Sequence, residues 1–205
     1  MTQPTPQANA GPVFVTLGPA GTNHELVTND YLAFRGLGAA SVLLVDDFED
    51  ALAMMVDGRA DFMVQVAVHP DCSKVVASAH FNHGIHIIDT FISPSKALGI
   101  LTRSDVEQPK TLAIQAATTG YTNIDAWEEL VHVSSIMRIA EGLLDGQYDS
   151  GLTTLELASE HPGRFRVDVE IGTVDDPWLV FGKRSVCNGE LVAWPASPGA
   201  QQFST

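Results

Sequence analysis

The sequence predicts an α/β fold with two lobes and a ligand cleft between them. Short β-rich runs alternate with helical patterns along most of the chain, which is typical of βαβ units around largely parallel sheets. A helix that ends in Asp-Gly is followed by a strand that opens at Asp61, and the same unit recurs with a strand that opens at Asp149. Such an internal repeat favours two lobes of similar build. The 205 residues are 45% hydrophobic, which is enough for the core that such a fold needs. Because Gly is a common helix stop, a single sheet remains the alternative.

The first part of the chain predicts three strands separated by helices. The strands cover residues 13–17, 41–45 and 61–66. Thr22 and Glu25 form a capping box that starts the first helix. Asp47 caps the second helix, which places Phe48 and Leu52 on one face.

The remaining elements follow from the same patterns. We expect helices at 71–80, around Ile124, Trp127 and Leu130, and at 136–144 and 155–159, with strands at 85–91, 96–102, 111–115, 149–153 and 178–181. The predicted first lobe is 12–76 together with 172–186, and the second lobe is 77–171. Residues 1–11 are expected to be a disordered N-terminus and residues 187–205 a flexible tail, since both are rich in polar residues, Pro and Gly.

Composition narrows the function classes. The formal net charge of −14 argues against a nucleic-acid footprint, and no apolar run has membrane-spanning length. The N-terminus does not have the pattern of a signal peptide. Cys72 and Cys187 have neither metal-ligand nor redox-motif spacing, so we interpret both as unpaired thiols of a cytoplasmic protein, with a disulfide as the alternative. We assign no cofactor and no metal, and a homodimer is left open.

Two loops are candidate anion sites. Gly18 to Thr22 joins a strand to a helix N-terminus, where glycines and free N–H groups suit a carboxylate, and Gly21 and Thr22 are its candidate ligands. Residues 117–122 form a similar junction, in which Thr118, Thr119 and Thr122 supply three hydroxyls. An ordinary turn with a helix cap is the alternative at both places.

Further hydroxyls, at Ser134-Ser135 and at Thr153-Thr154, lie at comparable junctions. Because the carboxyl ends of strands face the crevice in such folds, we expect these four loops to converge on one cleft.

The seven histidines do not predict a metal site. His80, His83 and His86 lie close in sequence, but Gly84 breaks the helical pattern between them, so a structural role is favoured over zinc. No Gly-x-Ser-x-Gly elbow is present.

Several short motifs, in shared order, resemble the catalytic domain of the prephenate dehydratase family. They lie between about residue 13 and residue 184 and are Leu17-Gly18-Pro19-Ala20-Gly21-Thr22, Asp47-Phe48-Glu49-Asp50-Ala51, Ala60-Asp61-Phe62, Glu156-Leu157-Ala158, and Asp175-Asp176-Pro177 followed by Leu179-Val180-Phe181-Gly182. The resemblance implies a periplasmic-binding-protein-like fold of two α/β lobes, with a small anionic carboxylate substrate between them.

The chain departs from that family where the dehydratases have Thr-Arg-Phe before the last strand. Asp176-Pro177-Trp178 occupies this slot, and Ala67-Val68-His69-Pro70-Asp71 replaces another family stretch. These features resemble a second branch, the prephenate decarboxylases of bacilysin-type pathways, which also have a Trp at the final strand. That resemblance implies substrate contacts by Arg103, Thr153 and Trp178.

The resemblance implies a lyase that decarboxylates prephenate, or a related cyclohexadiene carboxylate, without aromatising it. Asp176, if ionised, is only a hydrogen-bond acceptor, although burial would change this. Alternatively the slot is plain packing and the acid lies elsewhere, at His24 or His69. A dehydratase and a non-catalytic carboxylate-binding protein are the other readings of the same residues.

Overall fold

Ten strands form two five-stranded sheets in the computed structural model, which describes residues 11–200 and 202. The first sheet has the order β2-β1-β3-β10-β4 and the second β7-β6-β8-β5-β9. The strands are β1 Val13–Leu17, β2 Ser41–Val45, β3 Phe62–Val66, β4 His86–Pro94, β5 Leu98–Arg103, β6 Thr111–Ile114, β7 Glu129–His132, β8 Ser150–Thr154, β9 Phe165–Gly172 and β10 Asp175–Gly182. The helices are α1 Asn23–Phe34, α2 Phe48–Val56, α3 Cys72–His83, α4 Ile136–Leu144 and α5 Glu156–Glu160, with a 3₁₀ turn at Ala116–Thr118. The predicted α/β architecture with two lobes is confirmed.

The first sheet is parallel in its centre and carries a core on each face. β1 pairs in parallel with β2 and β3, whereas β10 runs antiparallel between β3 and β4. Phe48 and Met55 of α2 pack on one face, and Val27 and Leu32 of α1 pack on the other. A strand that is covered on both faces is apolar throughout, which explains the continuous run in β1.

The second sheet repeats this arrangement. β6 pairs in parallel with β7 and β8, and β5 lies antiparallel between β8 and β9. Helix α4 covers one face through Ile139 and Leu143, which are buried against Leu101 and Ala113. The Asp-Gly repeat therefore marks equivalent helix-to-strand turns in two separate sheets.

Two short segments join the lobes and are hydrogen-bonded to each other. The Ser95 N–H donates to Val174 O at 2.8 Å, and the Val174 N–H donates to Ser95 Oγ at 3.0 Å. The first sheet includes β4, so the first lobe extends to Pro94. The sequence pattern predicts instead that the second lobe begins at residue 77. β4 belongs to the first sheet because its backbone pairs with β10 over nearly the whole strand.

One predicted helix is wrong, and two strands, β7 and β9, were not predicted. Residues 124–128 contain no helix; Leu130 lies in β7, and the Trp127 indole donates to Ser150 Oγ at 2.9 Å. Strand pairing with β6 and this tertiary hydrogen bond outweigh the local helical spacing. β9 pairs with β5, and the apolar and charged residues along it alternate as expected of a strand with one exposed face.

Residues 183–200 contain no α-helix or β-strand. The disorder predicted for the N-terminus concerns residues 1–11, of which 1–10 lie outside the described residues. Cys72 and Cys187 are both free. Among residues 11–200 and 202, no helix has the length and apolar character that crossing a membrane requires.

Candidate functional site

A cleft of about 450 Å³ lies between the lobes, and both contribute its walls. The first lobe supplies residues that follow β1 and β3 and the start of β10, among them Gly21, Thr22, His24, His69, Asp176 and Trp178. The second lobe supplies residues that follow β6 and β8 and the start of α4, among them Thr118, Tyr121, Ser134, Ser135, Arg138 and Thr154. Hydroxyl-bearing loops at the carboxyl ends of strands therefore meet in one place.

The first wall is the N-terminus of α1. Thr22 caps this helix, since its Oγ1 accepts the Glu25 N–H at 3.4 Å, and the Glu25 carboxylate accepts the Gly21 N–H at 2.6 Å. Gly21 has φ +86°, a conformation that glycine adopts without a steric cost. The turn therefore brings backbone and the positive end of the helix dipole to the cleft.

The opposite wall is the N-terminus of α4. Ser135 caps it by accepting the Arg138 N–H at 3.2 Å, and residues 134–138 all line the cleft. A Cβ added at Gly21 would lie 3.5 Å from Met137 Cε. The two helix N-termini thus face each other across a narrow gap.

An aromatic cluster forms the floor of the cleft on the first lobe. The His24 ring packs edge-on against the Trp178 ring at 5.1 Å between centroids, and it lies 6.4 Å from the His69 ring. The His69 ring contacts Phe48 at 5.0 Å. Trp178 and Phe48 are 0% and 2% exposed, so the two half-buried imidazole rings are the accessible part of this cluster.

Both histidines of the floor lose basicity. Burial, helped by His69, lowers the pKa of His24 to about 3. Burial also lowers the pKa of His69, against the opposing effect of Asp71. His24 is therefore neutral at neutral pH and cannot act there as a general acid.

Asp176 differs from the expectation of an ionised acceptor, because it is 6% exposed. Burial raises the pKa of its carboxyl group, and the neighbouring Asp175 raises it further. Its Oδ1 has no hydrogen-bond partner among the described residues, as is also true of His24 Nε2 and Trp178 Nε1. Burial also raises the pKa of Tyr121, with a contribution from Asp176.

Positive charge reaches the cleft from Lys96 and Arg138. Lys96 Nζ is 2.9 Å from a Glu156 carboxylate oxygen, so its charge is partly compensated. Arg138 is exposed and forms no ion pair with a described residue. The cleft thus has a local positive group despite the acidic chain.

Six of the site residues predicted from the sequence line the cleft: Gly21, Thr22, His24, His69, Thr118 and Trp178. Thr119, Thr122 and Thr153 do not. Thr153 Oγ1 is buried and donates to Ile136 O at 3.1 Å, and its neighbour Thr154 lines the cleft instead. Thr119 Oγ1 donates to Ala116 O at 2.9 Å within its own turn.

Arg103 lies at the end of the second sheet that is remote from the cleft, so it does not contact the same ligand. β5 is antiparallel to β8, with Leu98 paired to Thr154 and Thr102 to Ser150. Leu98 and Thr154 line the cleft. Arg103 is the last residue of β5 and therefore lies at the opposite end of the strand. Its guanidinium instead bonds the Asp105 carboxylate and Gly146 O.

Sequence reasoning missed Lys96, Tyr121 and Arg138. Arg138 had a usable signal, since it falls in the first turn of a helix capped by Ser135. Lys96 had none, because it reaches the cleft from a segment without a motif. Tyr121 belongs to the candidate loop 117–122, of which only the three threonines were expected to bind a ligand. The histidine trio is divided between α3 and β4, and among residues 11–200 and 202 no three potential metal ligands come together.

The fold and the cleft define a two-lobed α/β protein with a cavity between its lobes. Prephenate dehydratase from Arthrobacter aurescens, solved with L-Phe, is similar with a TM-score of 0.62 and 19% identity over 93% of this chain and 69% of that one. Prephenate dehydratase from Staphylococcus aureus has a TM-score of 0.56 and 14% identity over 84% and 66%. The periplasmic VFT2 domain of Bordetella pertussis BvgS has a TM-score of 0.51 and 15% identity over 83% and 80%.

These likenesses establish the fold. No protein-family model and no curated protein sequence matches the chain.

Proposed function

We propose that the cleft binds prephenate or a related cyclohexadiene carboxylate, and that the protein decarboxylates it without forming an aromatic ring. The observation that carries the proposal is the pair of helix N-termini, α1 and α4, that face one cleft from opposite lobes. Each is suited to one carboxylate, and prephenate has two.

The dimensions and lining of the cleft support a ligand of this kind. A volume of about 450 Å³ is in the range of small-molecule sites. The half-buried His24 ring, backed by the buried Trp178, provides a floor for a six-membered ring, while Arg138 and Lys96 add positive charge for the carboxylates.

The proposed reaction breaks the bond between the ring and its carboxylate. Carbon dioxide leaves, the electron pair of that bond moves into the ring diene, and a ring carbon takes up a proton. The hydroxyl group stays, so the product is a non-aromatic dihydro compound. Pro177 and Trp178 favour this outcome, since Pro177 has no donor and the indole of Trp178 is too weak an acid to expel a hydroxyl.

A dehydratase is the second candidate, and the burial of Asp176 favours it. In that reaction the same carboxylate is lost, but the proton goes to the hydroxyl oxygen, which leaves as water. A carboxyl group with a raised pKa could provide this proton. The atom that the donor faces distinguishes the two reactions.

Incubation of the full chain with prephenate near neutral pH, beside a protein-free solution, tests the proposal. We expect carbon dioxide and a product of the dihydro mass without the absorbance of an aromatic ring. Phenylpyruvate formed above the rate of the protein-free solution would establish the dehydratase instead. Unchanged prephenate with measurable binding would indicate a carboxylate-binding protein and would contradict the lyase.

A further inference from the structure

We infer that Asp176 is the proton donor of the cleft and delivers its carboxyl proton to the bound substrate. The inference rests on the proposed function for its substrate, and it names the catalytic acid for this site.

The strand geometry places Asp176 beside the floor of the cleft. Asp176 and Trp178 are alternate residues of β10 and are both buried, whereas Asp175 and Pro177 are exposed. Alternate residues of a strand share one face, and both of these line the cleft. A ring bound in the cleft above this face of β10 would therefore lie next to the Asp176 carboxyl group.

The surroundings of Asp176 favour its protonated form. A buried carboxylate needs hydrogen-bond donors or a cation, yet its Oδ1 has no partner among the described residues. The adjacent Asp175 adds negative charge on the same strand. A bound substrate would exclude more water and favour the neutral acid further.

The other titratable groups of the cleft are poorer donors. These groups are His24, Asp46, His69, Lys96, Tyr121 and Arg138. The lowered pKa of each histidine leaves its ring neutral at neutral pH, and the raised pKa of Tyr121 makes the phenol hold its proton tightly. Arg138 does not release a proton in proteins, Lys96 is held by Glu156, and Asp46 is exposed to water.

The proton balance closes without a further reactant. When the ring–carboxylate bond breaks and carbon dioxide leaves, the electron pair reaches a ring carbon. The Asp176 O–H bond breaks as the new C–H bond forms, which leaves a carboxylate. After product release this carboxylate takes a proton from water.

Steady-state kinetics test whether Asp176 is the donor. The variants are Asp176→Asn, Asp176→Glu and Asp175→Asn. Asp30→Asn, on the exposed face of α1, is a matched control. We expect Asp176→Asn to lower kcat by about 100-fold or more, with KM changed only a few-fold, and Asp176→Glu to restore part of kcat. The wild-type kcat should fall as pH rises through the pKa of Asp176, and this limb should disappear in Asp176→Asn. In Asp175→Asn the limb should move to lower pH, because a neighbouring negative charge is removed. A wild-type kcat and pH profile in Asp176→Asn would overturn the inference.

Infrared difference spectra of wild type minus Asp176→Asn separate this inference from the proposed function, because they need no substrate. We expect the stretch of a protonated carboxyl group to persist above the pH at which exposed aspartates ionise, around pH 4. Loss of this band together with the exposed carboxylates would overturn the donor, whatever the turnover. Absence of turnover in the wild type would remove the proposed reaction, and a persisting band would then still support a proton held at Asp176.

Discussion

The imidazole ring of His24 lies edge-on to the indole ring of Trp178, with 5.1 Å between ring centroids and 77° between ring planes. The contact joins the first turn of α1 to the last strand of the first sheet. It also explains the low pKa of His24, since an imidazole enclosed by an indole and by Phe48 loses the solvation that its charged form needs.

The low pKa of His24 predicts a loss of stability in acid. In the unfolded chain His24 takes up a proton near pH 6.5, but in the folded protein only near pH 3. The free energy of unfolding should therefore fall as pH drops through this window, by at most about 1.4 kcal/mol per pH unit for one proton. His24→Gln should weaken that dependence in denaturant titrations at a series of pH values. His132→Gln, at an exposed position of β7, is the control, and an equal effect of both variants would contradict the prediction.

Asp176 should give a dependence of the opposite sign. Its pKa is raised in the folded state, so the folded protein binds the proton more tightly than the unfolded chain does. The contribution of this group to stability is then present below the ordinary aspartate pKa and is lost as pH rises through the folded pKa. We expect Asp176→Asn to be more stable than wild type above that pH and to gain little below it. A constant difference at all pH values, measured by the same titrations, would be evidence against a raised pKa.

A bulky residue at Gly21 should weaken ligand binding more than folding. Gly21→Leu puts a side chain toward Met137 across the cleft and also forces a positive φ, which costs about 1–2 kcal/mol. Gly36→Leu is a matched control, because Gly36 has φ +68° with no atom within 4 Å of an added Cβ. Calorimetric titration with a saturated cyclohexane analogue of prephenate should show weaker binding only for Gly21→Leu. Equal affinity in both folded variants would exclude this turn from the site.

Substitution of Arg138 should weaken ligand binding, whereas substitution of Arg103 should not. Arg138→Gln removes the unpaired guanidinium of the cleft, so it should weaken binding of the same dicarboxylate and reduce its dependence on salt. Arg103→Gln removes hydrogen bonds to Asp105 and Gly146, at the far edge of the sheet, and should leave the affinity unchanged. The reverse pattern would restore Arg103 as the ligand contact that the sequence resemblance implied.

Local patterns predicted most elements of the first lobe because their signals act over a few residues. Thr22 and Asp47 accept N–H groups of the helices that they were expected to cap. The prediction of a helix around Trp127 was wrong, because the apolar residues there pack in a non-helical segment. Trp127 reaches across to Ser150, and no local rule contains that partner.

The sequence by itself determined the α/β class, the two lobes and the hydroxyl-bearing loops, since alternation, caps and glycine stops are encoded within short segments. Only the tertiary structure decided which of those hydroxyls face the cleft, as the contrast between Thr153 and Thr154 illustrates. It also decided that Arg103 lies at the far edge and Arg138 in the cleft, because strand direction and order arise from long-range pairing. The raised pKa of Asp176 belongs to the same class of property: an aspartate has an ordinary pKa until the fold removes the water around it.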